Sequence, residues 1–269
     1  MGILNVTPDS FAERTHLVDP AAAVDAAFRM QRDGADLIDV GGESTRPGAD
    51  PVPAAEELSR IMPVLRALAG GPRIPVSVDT SKADVARAAV DAGAAIINDV
   101  SGLRFDTALA DVVARSGAAL VLMHTRGMPK TMYAEAVYED VVADVRRELT
   151  ESVGIATASG VPAERLIVDP GIGFAKRAAH SYGVLARLPE LASALDRPLL
   201  VGPSRKSFMR TAIGDRPPLE RDWGTAGAVA AAVLAGAHIV RVHAVAEMTQ
   251  VVAVAEEIRR AGLRAQDTT

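Results

Sequence analysis

The chain has 269 residues, 49% hydrophobic and 23% charged, with a net charge of −5 and no cysteine. That is ample apolar material for one large α/β core, and the mild negative charge gives no general attraction for nucleic acid or anionic lipid. The missing cysteine excludes disulfides, thiolate metal sites and a cysteine nucleophile, and no segment approaches the roughly 20 apolar residues of a membrane span.

The opening "MGILNVTPDS" has no basic stretch followed by a long apolar one, so a soluble, cytoplasmic protein is expected. From there, short Val- and Ile-rich runs alternate with stretches of helical spacing. A strand over 2–6 leads to a helix over 19–34, where Asp19 is placed to cap and Pro20 to occupy the first helical position. Strands over 36–40 and 75–79 precede helices over 53–70 and 82–93, the latter ending in a glycine suited to a helix C-terminus. Strands over 94–100, 119–124 and 165–170 precede helices over 106–117, 137–160 and 182–195. Strands over 198–202 and 238–243 precede helices over 225–237 and 245–262. Eight strands and eight helices in strict order predict an α/β fold of the (β/α)8 or TIM-barrel type, a single domain over 1–263 with a disordered tail over 264–269. A doubly wound open sheet is the alternative that periodicity leaves open.

In such a barrel the working face lies at the C-terminal ends of the strands. Those ends carry Asn5, Asp39, Asp79, Asn98 with Asp99, Met123 with His124, Asp169, Gly202 before "PSRKS", and Arg241 with His243. One polar strand end is ordinary, but polar groups from almost every strand converging on one mouth point to a ligand. Asp79, Asn98 and Asp169 suit a divalent ion or, equally, a flat heterocycle with several N–H donors. Arg46, Arg241 and His243, with the hydroxyls of Ser44 and Thr45, suit a phosphate or diphosphate. For Arg46 and Arg205 a surface ion pair is the alternative. "GPSRKSF" leads into a probable helix where Ser207 and free N–H groups could hold a carboxylate, or where Ser204 or Ser207 simply caps.

The segments "MGILNVTPDSF", "DVGGESTRPGA", "SVDTSKADVARAAV", "GAAIINDVSG", "VLMHTRGMPKTM", "LIVDPGIGFAK", "VGPSRKSF" and "GAHIVRVH" stand one at each strand exit. In that order they resemble the dihydropteroate synthases, the sulfonamide-sensitive enzymes of folate biosynthesis. The resemblance implies a TIM barrel that joins 6-hydroxymethyl-7,8-dihydropterin diphosphate to p-aminobenzoate, with Mg2+ as cofactor and Asn5 as the metal residue. It implies a pterin held by Asp79, Asn98, Asp169 and Lys206, with Met123 and Phe174 packing near it. The diphosphate falls to Asn5, Arg46, Arg241 and His243, and p-aminobenzoate to Phe11, Thr45, Pro47 and Ser207. The implied catalytic set is Asp79, Asp169, Lys206, Arg241, His243 and Glu13. A homodimer through the outer helices is the family expectation, with small-molecule substrates and neither nucleic acid nor membrane as partner.

The chain departs from the family pattern in its first loop, "SFAERT", where Arg14 and Thr15 replace glycines and reduce loop freedom. It departs again at Ala244, where an aspartate is usual; its loss is expected to alter a contact behind the anion site and to reduce activity without abolishing it. Ser181, in place of a common asparagine, is expected to be neutral. A pterin-dependent methyltransferase and a non-catalytic pterin-binding paralogue are the alternative functions.

Overall fold

The computed structural model describes residues 1–7, 19–46 and 48–266, so Phe11, Glu13 and Pro47 lie outside the described residues, as do 267–269. Six parallel strands pair in sequence order: β1 (Gly2–Asn5), β2 (Ile38–Gly41), β3 (Val76–Asp79), β4 (Ile96–Asp99), β5 (Ala119–Met123) and β6 (Leu166–Asp169). A seventh, β7 (Leu200–Val201), pairs in parallel with β8 (Ile239–Val240). Two single bridges, Val168 with Leu199 and Gly2 with Val242, join these sheets into a ring. At the second seam Ile3 N donates to Val242 O and Val242 N to Met1 O, both at 3.0 Å. The sheet therefore closes as a barrel, and the open doubly wound alternative is excluded.

The strands are shorter than the apolar runs predict. Pro75 and Pro198 have no N–H for the ladder, so β3 and β7 begin after them. Side chains alternate along each strand. Val78, Ile97, Leu120 and Leu122 point outward into the core under the helices, while Ile96, Val121 and Leu200 pack inside the barrel with Met1. The same alternation turns Asp79 and Asn98 inward at the strand exits.

Around the barrel run α1 (Pro20–Arg32), α2 (Ala54–Leu68), α3 (Ala83–Asp91), α4 (Ala108–Ser116) and α5 (Val141–Ala158). Asp19 caps α1 as expected, accepting from Ala21 N at 3.0 Å, and Gly93 takes the left-handed conformation (φ +98°) just after α3. Asp140 caps α5, which starts four residues later than its pattern suggests. The helix expected over 182–195 is two, α6 (Ala178–Ala186) and α7 (Leu188–Leu195). Pro189 in the first turn of α7 cannot continue α6, so the chain breaks at Arg187. The probable helix after "GPSRK" is only a 3-10 turn over Ser207–Met209 followed by α8 (Arg210–Ile213), ended by Gly214 (φ +79°). The last helices are α9 (Asp222–Leu234) and α10 (Val245–Gln266), so α10 runs three residues past the expected domain boundary at 263. Among the described residues no helix is long and apolar enough to cross a membrane.

Candidate active site

A cavity of about 530 Å³ opens at the C-terminal mouth of the barrel. Its walls bring together Asn5, Thr45, Arg46, Asp79, Phe174, Lys206, Ser207, Arg241 and His243 from six different strand exits. Asn98, Met123 and Asp169 are not on that wall. They lie in the buried layer beneath it, each no more than 5% exposed.

An ion-pair cluster ties the acidic floor to Arg241 on the rim. Arg241 donates through Nε to Asp39 Oδ2 at 2.6 Å and through Nη2 to Asp79 Oδ2 at 3.0 Å, and Asn98 Nδ2 donates to Asp39 Oδ2 at 3.0 Å. Asp39 is wholly buried, and its Oδ1 has no hydrogen-bond partner among the described residues. It was visible as a polar strand end, but nothing in its spacing linked it to Arg241, because that contact exists only once the barrel closes. Burial pushes the Asp79 pKa up, with Arg241 opposing the rise and Asp39 adding to it. Burial works to lower the Arg241 pKa, but Asp39 and Asp79 outweigh it and hold the guanidinium charged.

His243 leaves β8 on the same face as Arg241, as the two-residue spacing predicts, and its Nδ1 lies 2.9 Å from Ser204 Oγ. Ser204 thus supports the imidazole and does not cap a helix. Arg205, in the left-handed region at φ +58°, forks onto Asp222 at 2.7 and 2.8 Å, so its ion-pair reading holds. That local turn projects Lys206 over the Phe174 ring, 4.1 Å from the centroid, with Nζ donating to Ile172 O. Burial lowers Lys206 to about 7, Asp169 pulling the other way.

Asp169 accepts from Gly171 N at 2.7 Å, and burial raises its pKa against the field of Lys206. Gly171 cannot be replaced: its φ is +67°, and a Cβ would sit 2.0 Å from His124 O. Ser181, expected to be neutral, makes a contact to the cavity wall. Fully buried, its Oγ accepts from the cavity-lining Gly173 N at 3.2 Å.

The loop bearing Thr45 and Arg46 is anchored from behind. Lys82 Nζ pairs with both Glu43 and the buried Glu57, Val52 N donates to Glu43 Oε1 at 2.9 Å, and Arg60 Nη1 donates to Gly42 O at 2.8 Å. Beside the β6 exit, Lys176 Nζ lies 2.7 Å from His124 Nδ1, and His124 Nε2 lies 3.0 Å from Glu148 Oε2. Sequence reading attached no role to Lys176 or Glu148, which sit where a helical or loop pattern reads as solvated.

Among the described residues no group of three or more His, Cys, Asp or Glu side chains could hold a metal. Asn5 Oδ1 and Asp79 Oδ2 nonetheless approach one spot, 3.5 and 3.8 Å from where a Cβ on Gly41 would stand. Asp79 Oδ2 is taken by Arg241 Nη2 at 3.0 Å, so Asn5 Oδ1 is the donor left for magnesium, which takes few protein oxygens beside water and substrate phosphate.

Fold and site together define a (β/α)8-barrel enzyme whose working mouth pairs an acidic floor with a cationic rim. The chain matches the family described as Pterin binding enzyme over residues 1–243. It is 45% identical over 260 residues to a dihydropteroate synthase of Synechocystis sp., covering 97% of this chain and 90% of that one. It superposes with a TM-score of 0.92 and 42% identity on a Yersinia pestis dihydropteroate synthase in complex with a sulfonamide drug, covering 97% and 94% of the two chains. Against a Xanthomonas albilineans dihydropteroate synthase in complex with 7,8-dihydropteroate the TM-score is 0.83 at 39% identity, covering 96% and 92%. The chain belongs to the dihydropteroate synthase family of pterin-binding enzymes.

Proposed function

We propose that this chain condenses 6-hydroxymethyl-7,8-dihydropterin diphosphate with p-aminobenzoate, forming 7,8-dihydropteroate and releasing diphosphate. The observation that carries the reading is that one cavity has Asp79 in its floor and Arg46, Arg241 and His243 on its rim. A pterin-dependent methyltransferase has no use for such a rim.

The pterin lies over Asp79 and Phe174 with Lys206 beside it, and Asp169, Asn98 and Met123 bound its deep edge. The diphosphate meets Asn5, Arg46, Arg241 and His243. The p-aminobenzoate carboxylate sits at Ser207, with Thr45 beside its ring; Phe11 and Pro47, which the resemblance assigns to the same substrate, lie outside the described residues. Glu13 keeps the catalytic role that the family resemblance implies.

The amine of p-aminobenzoate attacks the exocyclic methylene carbon while the bond to the diphosphate oxygen breaks, its electron pair leaving with diphosphate, and the amine then sheds a proton. No protein nucleophile is needed. Positive charge spreading into the ring faces the acidic floor, and negative charge on the leaving group faces Arg241 and His243. Asn5 would hold a magnesium ion, which when bound would further neutralise the charge on the leaving group.

A homodimer is supported by apolar side chains on adjacent outer helices: Trp223 (90% exposed) and Leu234 on α9, Val254 and Ile258 on α10. A cytoplasmic location agrees with the lack of any membrane-crossing helix among the described residues.

The test is incubation of the protein with pterin diphosphate, p-aminobenzoate and Mg2+, with detection of both products. Dihydropteroate and diphosphate in equal amounts are expected. Binding of the pterin with no product would favour a non-catalytic paralogue.

A further inference from the structure

The loop leaving β6 carries two walls of the cavity, Gly173 and Phe174, and it has no regular secondary structure of its own. Its backbone is instead held by side chains reaching in from elsewhere. Lys206 Nζ donates to Ile172 O from the cavity side, and Tyr138 Oη donates to Ala175 O at 2.9 Å. Between them Lys176 Nζ donates to Phe174 O at 3.2 Å and lies 3.4 Å from His124 O. The loop also holds Ala175 in the left-handed region, φ +47°, a conformation that only its surroundings can enforce.

Lys176 is 1% exposed, so its nitrogen must be satisfied by protein. The third partner is His124 Nδ1 at 2.7 Å, and the far side of that imidazole meets Glu148 Oε2 at 3.0 Å. Glu148 is an acceptor, already drawing hydrogen bonds from Arg104 at 2.8 Å and from Arg126 at 3.0 Å. An acceptor at Nε2 requires the proton there, which leaves Nδ1 as a lone pair aimed at Lys176. Burial lowers His124 to about 3, so the ring stays neutral through the physiological range.

We infer that Lys176, oriented through His124 by Glu148, is a positioning residue that sets the placement of Phe174 and so the affinity of the cavity for the pterin ring. It touches no substrate; it acts through the Phe174 carbonyl. This rests on the reading of the cavity as a pterin site, and Lys176 adds a determinant that lies wholly behind its wall.

The experiment compares wild type with Lys176→Met in steady-state turnover of pterin diphosphate and p-aminobenzoate. The variant is expected to raise KM for the pterin about tenfold or more while KM for p-aminobenzoate stays within about twofold. A fall in kcat with both KM values unchanged would mean a merely structural lysine and overturn the inference. Should Lys176→Met not fold, 15N NMR of His124 in the unmodified protein decides: a neutral ring protonated at Nε2 is expected, and a proton at Nδ1 would overturn it. Wild-type turnover tests the pterin reading by itself, so an inactive wild type sinks that reading, whereas an active wild type with an indifferent variant sinks only this one.

Discussion

Arg241 and Asp39 meet at 2.6 Å across 202 residues of sequence, tying the last strand of the barrel to the second. The pair orients the rim guanidinium, whose other nitrogen reaches Asp79 at 3.0 Å. A cation facing two carboxylates is held charged and fixed before any substrate arrives, and this fixing is what electrostatic catalysis requires.

Removing Asp39 alone therefore has two consequences. Asp39→Asn is expected to destabilise the fold by about 3 kcal/mol, since it breaks a buried pair while leaving the guanidinium in place. It is also expected to raise KM for pterin diphosphate. Chemical denaturation alongside initial rates checks both; an unchanged denaturation midpoint would show that Asp79 alone suffices for Arg241.

Lys206 gives a pH signature. Burial depresses its folded pKa to about 7, below the ordinary value near 10.5, so the native state releases this proton before the unfolded chain does. Its contribution to stability consequently grows as pH rises from about 7 toward 10.5, by at most about 1.4 kcal/mol per pH unit, and is absent below 7. Asp79, whose pKa burial raises, acts in the opposite direction, so the useful quantity is the difference between wild type and Lys206→Met. That difference is expected to slope between pH 7 and 9 in denaturant titrations; a flat difference contradicts the buried-lysine account.

Ala244 stands immediately before α10, and its carbonyl accepts from Met248 N at 3.0 Å, which makes it the N-cap residue. Glu247 lies three positions on, so Ala244→Asp would complete a reciprocal cap. The expected gain is about 1 kcal/mol, or roughly 2 °C in Tm. Higher kcat with no change in Tm would instead place that side chain at the anion site.

The barrel was legible because short Val- and Ile-rich runs alternating with stretches of helical spacing have few other solutions, and because every motif fell at a strand exit. Arg241 and His243 were legible for the same reason: two residues apart on a strand, they share a face. Asp39 and Lys176 were not. Each works through partners brought together only by closure of the ring or by a loop with no periodic pattern, and a lone buried lysine looks in sequence like any surface one. Pro189 was in plain view, yet the run around it is apolar enough to read as one helix through the break.

The central claim is that one cavity holds both ends of one substrate, the ring at the acidic floor and the diphosphate at the cationic rim. Calorimetric binding of 6-hydroxymethylpterin with and without its diphosphate, to Asp169→Asn and to an Asp39→Asn, Arg241→Met double variant, tests it most directly. The account expects Asp169→Asn to weaken both ligands by about 2 kcal/mol, and the double variant, which also leaves Asp79 without its Arg241 partner, to weaken the diphosphorylated ligand far more than the bare pterin. Equal weakening of both ligands by the double variant, or no effect of Asp169→Asn on either, would contradict it.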